Sequence, residues 1–174
     1  ITYKTNGQLF AWGQNDKGQL GHNNKTSRSS PTQIGGDTNW TANFTVTHGD
    51  SVVAVKTDGT LWSWGYNSDG QLGTNQASSP SKRAWSSPVQ IGTDTDWGGA
   101  TVGEAFVSFG VVKTNGTLWT WGRGSHGQNM QNNSISLSSP TQVPGTNWAY
   151  YSGSYYHALA CKTDGTLWAV GKND

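Results

Sequence analysis

Lys56-Thr57-Asp58-Gly59-Thr60-Leu61-Trp62-Ser63-Trp64-Gly65 decides the fold of this chain, because the pattern returns at Lys4 to Gly13, Lys113 to Gly122 and Lys162 to Gly171. Each copy carries Asn-Gly or Asp-Gly, and the glycines Gly7, Gly59, Gly116 and Gly165 fall about 50 residues apart. Such a dipeptide between apolar runs predicts a hairpin through a two-residue type I′ turn, in which both central residues take positive φ. Here it joins Val52-Val53-Ala54-Val55 to Leu61-Trp62-Ser63-Trp64. The first strand is apolar almost throughout, as a strand covered on both faces would be. In the second, Trp62 and Trp64 stand two apart and share one face.

Two further elements recur between the hairpins. Ser30-Pro31-Thr32-Gln33-Ile34, Ser87-Pro88-Val89-Gln90-Ile91 and Ser139-Pro140-Thr141-Gln142-Val143 read as a third strand with Pro at its start. Trp40, Trp97 and Trp148 each open a fourth. Gly-Gln-Leu-Gly follows the first two hairpins, at Gly18 to Gly21 and Gly70 to Gly73, and becomes Gly127-Gln128-Asn129-Met130 after the third. No helical period of useful length is present. Four antiparallel strands recurring at this period predict an all-β fold of β-propeller blades. A solenoid of β-turns is the alternative, with shorter repeats. The chain reads as one propeller-repeat region, with a half unit at 1–22 and units at about 23–73, 74–130 and 131–174. That makes three and a half blades.

Composition narrows the function. Of 174 residues, 24 are Gly and 10 are Trp, and only 12% are charged. Mean hydropathy is -0.64, so polarity comes from Ser, Thr, Asn and Gln. A net charge of +1 argues against nucleic-acid binding through bulk basicity. One cysteine forms no internal disulfide. No apolar run approaches the roughly 20 residues of a membrane span. The first residue is Ile and no signal-like start is seen, which suggests a processed, excised or partial chain.

Gly59 to Gly73 (Gly-Thr-Leu-Trp-Ser-Trp-Gly-Tyr-Asn-Ser-Asp-Gly-Gln-Leu-Gly), followed by Ser87-Pro88-Val89-Gln90-Ile91, resembles the repeat of the regulator of chromosome condensation family. The resemblance covers essentially the whole chain, and the Lys-Thr-Asp-Gly-Thr-Leu-Trp form is similar to the bacterial and phage style of the repeat. It implies a seven-bladed propeller. The best-known member is a guanine nucleotide exchange factor for a small nuclear GTPase that also binds chromatin; many others are plain interaction modules. A ring of seven at this period needs roughly 365 residues, so the chain is expected to be part of a larger polypeptide or to associate with a protein partner or further copies of itself.

The repeated tryptophans, Trp12, Trp64, Trp121, Trp40, Trp97 and Trp148, read as wedges between blades, with Gly7, Gly59, Gly116 and Gly165 as turn residues of the same framework. The competing reading is a ring of sugar-stacking aromatics. Trp85 is unrepeated and lies beside Lys82 and Arg83 in the longest linker. These three form a candidate contact loop, with a folded-back plug as the alternative. Cys161 aligns with Val55 and Val112 and reads as a buried small hydrophobe. His22, His48, His126 and His157 are scattered, with no metal-ligand spacing. No carboxylate pair, nucleophile elbow or phosphate loop stands out, so neither catalytic residues nor a cofactor are expected.

The favoured reading is a non-catalytic structural or recognition module on a phage virion or bacterial surface, making protein or glycan contacts, with a cytoplasmic setting as the alternative. An exchange factor or chromatin regulator would need an inserted wedge and a basic tail, and neither is identifiable. A glycan-active enzyme would need a convergent carboxylate or metal site.

Overall fold

The computed structural model describes residues 1–46, 50–76, 84–104 and 108–172. These contain fourteen strands and no helix. β1 (Thr2–Tyr3), β2 (Leu9–Gly13) and β3 (Arg28–Gln33) make a three-stranded sheet. β4 (Trp40–Val46), β5 (Ser51–Lys56), β6 (Leu61–Tyr66) and β7 (Ala84–Gln90) make a four-stranded one. β8 (Trp97–Glu104), β9 (Ser108–Lys113), β10 (Leu118–Gly122) and β11 (Leu137–Gln142) repeat it. β12 (Trp148–Gly153), β13 (His157–Lys162) and β14 (Leu167–Gly171) form a last sheet of three. All pairings are antiparallel and follow chain order. This is a partial β-propeller of about three and a half blades.

The sheets divide the chain differently from the units read in the sequence. Each Trp-led strand pairs with the hairpin that follows it, as Trp40 does with Lys56. The spans 23–73, 74–130 and 131–174 therefore each straddle two sheets. The prolines also differ from expectation. Pro31, Pro88 and Pro140 lie inside the outermost strand, within a register shift opposite Trp12, Trp64 and Trp121. An edge strand has a free side, so a missing N–H there breaks no ladder.

The hairpin turn is tighter in chemistry and longer in chain than a type I′ turn. Gly59 N donates to Lys56 O at 3.0 Å and Lys56 N to Thr60 O at 3.0 Å, which makes a three-residue loop. Only the glycine has positive φ, at 78°. Asp58 stays right-handed because its Oδ1 accepts from Thr60 N at 3.0 Å and from Thr60 Oγ1 at 2.7 Å. This is a type I turn closed by a glycine bulge.

Packing between sheets explains why the first hairpin strand is apolar throughout. Val52 and Ala54 face back into a core with Leu9, Ala11, Leu20 and Ile34 of the first sheet. Val53 and Val55 face forward, with Leu61 and Ile91, onto Trp97, Phe109, Val111 and Trp121. The third core repeats the scheme with Val112, Leu118 and Val143 against Trp148, Ala158 and Ala160. Each of the two inner sheets thus contributes its two faces to two different cores.

The third junction departs from the first two in a coordinated way. Trp64 Nε1 donates to Gln19 O at 3.0 Å and Trp121 Nε1 to Gln71 O at 2.9 Å. At the matching place β14 has the smaller Val170, which packs on the core from the side. Tyr151, from β12 two strands away in the same sheet, fills the space and donates to Gln128 O at 3.2 Å. Its ring lies where a Cβ on Gly110 would sit. Met130 replaces the glycine that elsewhere touches the Trp indole (Gly21 and Gly73) and enters the core. Asn129 takes over for the amides of Asn15 and Asn67, reaching Gly122 O and Ile135 O, while Gly124 vacates their position.

Candidate functional site

The repeated tryptophans are wall rather than binding surface. Trp40, Trp64, Trp97, Trp121 and Trp148 are buried between sheets, which leaves no ring of stacking aromatics at these positions. The buried rings also sandwich lysines. Lys56 Nζ lies 4.7 Å from the Trp40 ring and 4.1 Å from that of Trp62, with Asp37 at 2.7 Å. Lys113 sits likewise between Trp97 and Trp119 and bridges Asp94 and Asp96. Burial opposes its charge, but hydrogen bonds to the two carboxylates outweigh this and raise its pKa. Lys162 lies between Trp148 and Trp168.

Trp12 is the exception. It occupies the position of Trp64 and Trp121 yet is 44% exposed, so the wedge expected there is not formed. Its sheet comes first, and the described residues include no earlier Gly-Gln-Leu-Gly carbonyl to receive its indole. The last sheet is open on its opposite face. Leu167 is 68% and Trp168 50% exposed, whereas Leu61 and Leu118, the counterparts of Leu167 in the inner sheets, are buried. Cys161 shares this open face and is only half-buried, unlike Val55 and Val112.

Gly7, Gly59 and Gly116 are clamped by the sheet that follows. Trp40 N, Trp97 N and Trp148 N donate to their carbonyls at 3.1, 3.1 and 3.0 Å. A Cβ at Gly7 or Gly59 would overlap the carbonyl of Thr38 or Thr95, while Gly165 faces open space.

Lys82 and Arg83 lie outside the described residues. Trp85 is not in a loop: it belongs to β7 and pairs with Gly65, at the register position held by Arg28 and Leu137 in the neighbouring sheets. Antiparallel pairing past the register shift draws it into the sheet. There it borders a groove of about 540 Å³ between the second and third sheets, with Asn75, Gln76, Gln90, Asp94 and Trp119.

A second, unrepeated cluster was not apparent from the sequence. Arg123 Nη1 donates to Tyr155 Oη at 2.7 Å, with the guanidinium 4.9 Å from that ring. The Tyr155 and Tyr156 rings meet edge to face at 4.5 Å, and His126 meets Tyr156 at 5.0 Å. Tyr156 is 47% exposed. The Tyr155-Tyr156 pair, which no other repeat carries, is the sequence signal that could have found it.

The aspartates of the hairpin turns are engaged in structure. Hydrogen bonds from Thr60 and Thr166 hold the carboxyls of Asp58 and Asp164 below the usual range. His22 Nε2 contacts Thr32 O at 3.1 Å, and His48 lies outside the described residues. Among the described residues no group of three His, Cys, Asp or Glu could hold a metal ion. Among the described residues no helix is long and apolar enough to cross a membrane.

The model of the regulator of chromosome condensation (RCC1) repeat matches residues 6–52 and 58–107. The human E3 ubiquitin-protein ligase HERC2 is 24% identical over 186 residues, covering 98% of this chain but 4% of the ligase. The crystal structure of human WBSCR16 superposes with a TM-score of 0.79 at 24% identity, covering 98% of this chain and 44% of that one. Yeast RCC1 (Prp20) bound to Kap60 gives 0.78 at 18% identity, with 95% and 40% covered. A further structure of Saccharomyces cerevisiae Prp20p, with a TM-score of 0.75 at 18% identity and 94% and 41% covered, was described with its binding to Gsp1p and histones. The chain thus spans less than half of these solved chains and a small fraction of HERC2.

Proposed function

Because the chain belongs to the regulator of chromosome condensation repeat family, we propose that it is a non-catalytic recognition module that docks a protein partner. The observation that carries this reading is the cluster of Arg123, His126, Tyr155 and Tyr156. Tyr and Arg are enriched where binding energy concentrates, and this cluster joins an exposed Tyr to an Arg already held in place by a second ring. Its cationic, aromatic character suits an acidic protein surface. Kap60, Gsp1p and histones, the partners of Prp20, supply the first probes. Biolayer interferometry of the chain against a Kap60-type importin, a Gsp1p-type GTPase and core histones should show binding to at least one. Arg123→Ala and Tyr156→Ala should weaken it by about tenfold or more. No binding at tens of micromolar counts against protein docking. Acceleration of nucleotide release from the GTPase would establish an exchange factor instead.

The open face of the last sheet supports a second element of the proposal, completion of the ring by further sheets of the same repeat. The inner sheets bury their corresponding face against the next sheet, and this one has the same apolar character. An intact native mass of roughly 37 kDa or more would place those sheets in a longer polypeptide. A native chain of 18.6 kDa that stays monomeric at all concentrations would overturn ring completion. The setting we propose is a phage or bacterial surface, supported by the low charged share of 12% and the repeat form. Recovery from purified particles or a surface fraction tests it, and an exclusively cytosolic pool would overturn it.

A further inference from the structure

We infer that the groove between the second and third sheets is a binding site for an uncharged saccharide. It rests on the recognition reading only in that no bond is made or broken, and it shares no residue with the protein-docking cluster.

One aligned position sets this groove apart. His22, Thr74 and Gln131 each directly follow the Gly-Gln-Leu-Gly segment or its variant. In the first repeat His22 Nε2 reaches the outer strand at Thr32 O, 3.1 Å away. In the third, Gln131 Nε2 donates to Gln142 O at 3.2 Å and to Thr141 O at 3.4 Å. Both side chains reach across to the outer strand of their own sheet. Thr74 is too short to do so, and its Oγ1 is buried without a partner. The groove at Thr74 has a volume of about 540 Å³, against 370 Å³ where His22 stands. That is within the range of small-molecule sites.

The wall of this groove is also unfinished in its hydrogen bonding. Besides Thr74 Oγ1, Gln76 Oε1 is a buried acceptor and Trp85 Nε1 a buried donor, and neither has a partner. Such groups in a folded protein call for an explanation; they lie just beneath the groove surface, and small side-chain rotations toward it would let a ligand that both donates and accepts pair with them. Trp85 and Trp119 add aromatic surface, while Asn75, Gln90 and Asp94 add polar groups. A sugar matches this mixture, with C–H faces for the indoles and hydroxyls for the amides and the carboxylate. An anionic ligand does not. Among the described residues, the cation that meets the groove's Asp94 is Lys113, and it is already held by Asp94, Asp96 and two Trp rings. A purely apolar ligand would leave the amides unsatisfied.

The test uses the full chain and substitutions borrowed from its own repeats. Cellotriose, maltotriose and N,N′,N″-triacetylchitotriose are titrated by calorimetry and tryptophan fluorescence, beside sialyllactose and a proline-rich peptide. At least one neutral trisaccharide should bind and shift the Trp emission. Thr74→Gln and Trp85→Leu, the residues the third repeat carries at these positions, should each weaken binding by about tenfold or more. Tyr156→Ala should leave it unchanged. Thermal melts establish that each variant is folded, and either groove variant suffices if the other fails to fold. Absence of binding by all three sugars at about 10 mM, an affinity too weak to matter, overturns the proposal. So does binding that survives both groove substitutions, or groove-dependent binding of the sialylated sugar or the peptide alone. Protein docking would stand in each of those cases, because its variants lie elsewhere.

Discussion

Tyr151 donates its hydroxyl to the carbonyl of Gln128 at 3.2 Å, the bond that Trp64 and Trp121 make to Gln19 and Gln71 from a different strand. One junction has therefore exchanged its wedge without losing the hydrogen bond. Burial pushes the Tyr151 hydroxyl from 10.0 up to about 12. Its folded-state pKa is raised, so its contribution is fully present below pH 10 and is lost as pH rises toward 12. Tyr151→Phe should destabilise the chain by about 1–3 kcal/mol at neutral pH, because the Gln128 carbonyl loses its donor. The gap to wild type should narrow between pH 10 and 12. Urea midpoints of both proteins across that range check this; a constant gap would contradict it.

The exchanged wedge also predicts strong coupling. Val170→Trp alone should destabilise, since Met130 and Tyr151 occupy the space a Trp would need. Combining it with Met130→Gly and Tyr151→Val restores the arrangement of the second junction. The triple variant should be more stable than the summed single effects by about 1–3 kcal/mol. Additive effects would show that the substitutions do not compensate one another.

Gly59 and Gly165 separate two roles of one residue type. Both need positive φ, at 78° and 85°, but only Gly59 lies against the next sheet. Gly165→Ala should cost about 1–2 kcal/mol of backbone strain. Gly59→Ala adds an overlap with the Thr95 carbonyl and should exceed 3 kcal/mol, a size tied to packing conflicts. Equal losses in chemical denaturation would contradict the clamp.

The caged lysines are unequal as well. Lys113 is bound by two carboxylates and two rings, whereas the loop before Trp148, Pro144-Gly145-Thr146-Asn147, offers Lys162 no carboxylate. Lys113→Gln should lower stability by about 1–2 kcal/mol, discounted because both aspartates are partly exposed. Lys162→Gln should lower it by less than about 1 kcal/mol. Melting in low and high salt should show screening only of the Lys113 effect.

The strands were legible because turn glycines and alternating tryptophans act locally. Asp58-Gly59 announces a hairpin whichever residues surround it. Its turn type was not legible, since Asp58 is held right-handed by the side chain of Thr60. Nor was the strand setting of Trp85, which depends on a register shift against Gly65. Sheet boundaries are tertiary facts: Trp40 follows Gln33 closely in sequence but pairs with Lys56. Of the candidate site, Trp85 was visible as an unrepeated aromatic. The missing reach at Thr74 emerges only when its counterparts are seen to bond the outer strand.

The clamp between each turn glycine and the following Trp runs in one direction along the chain. Trp40 N–H closes on Gly7, Trp97 on Gly59 and Trp148 on Gly116. The accepting turn always precedes its donor, so every new sheet meets a dock that has already been synthesised. Assembly can keep pace with the ribosome, one sheet settling as the next emerges. A pause or truncation late in translation would then leave the earlier sheets docked, and damage to the first hairpin would reach everything made after it.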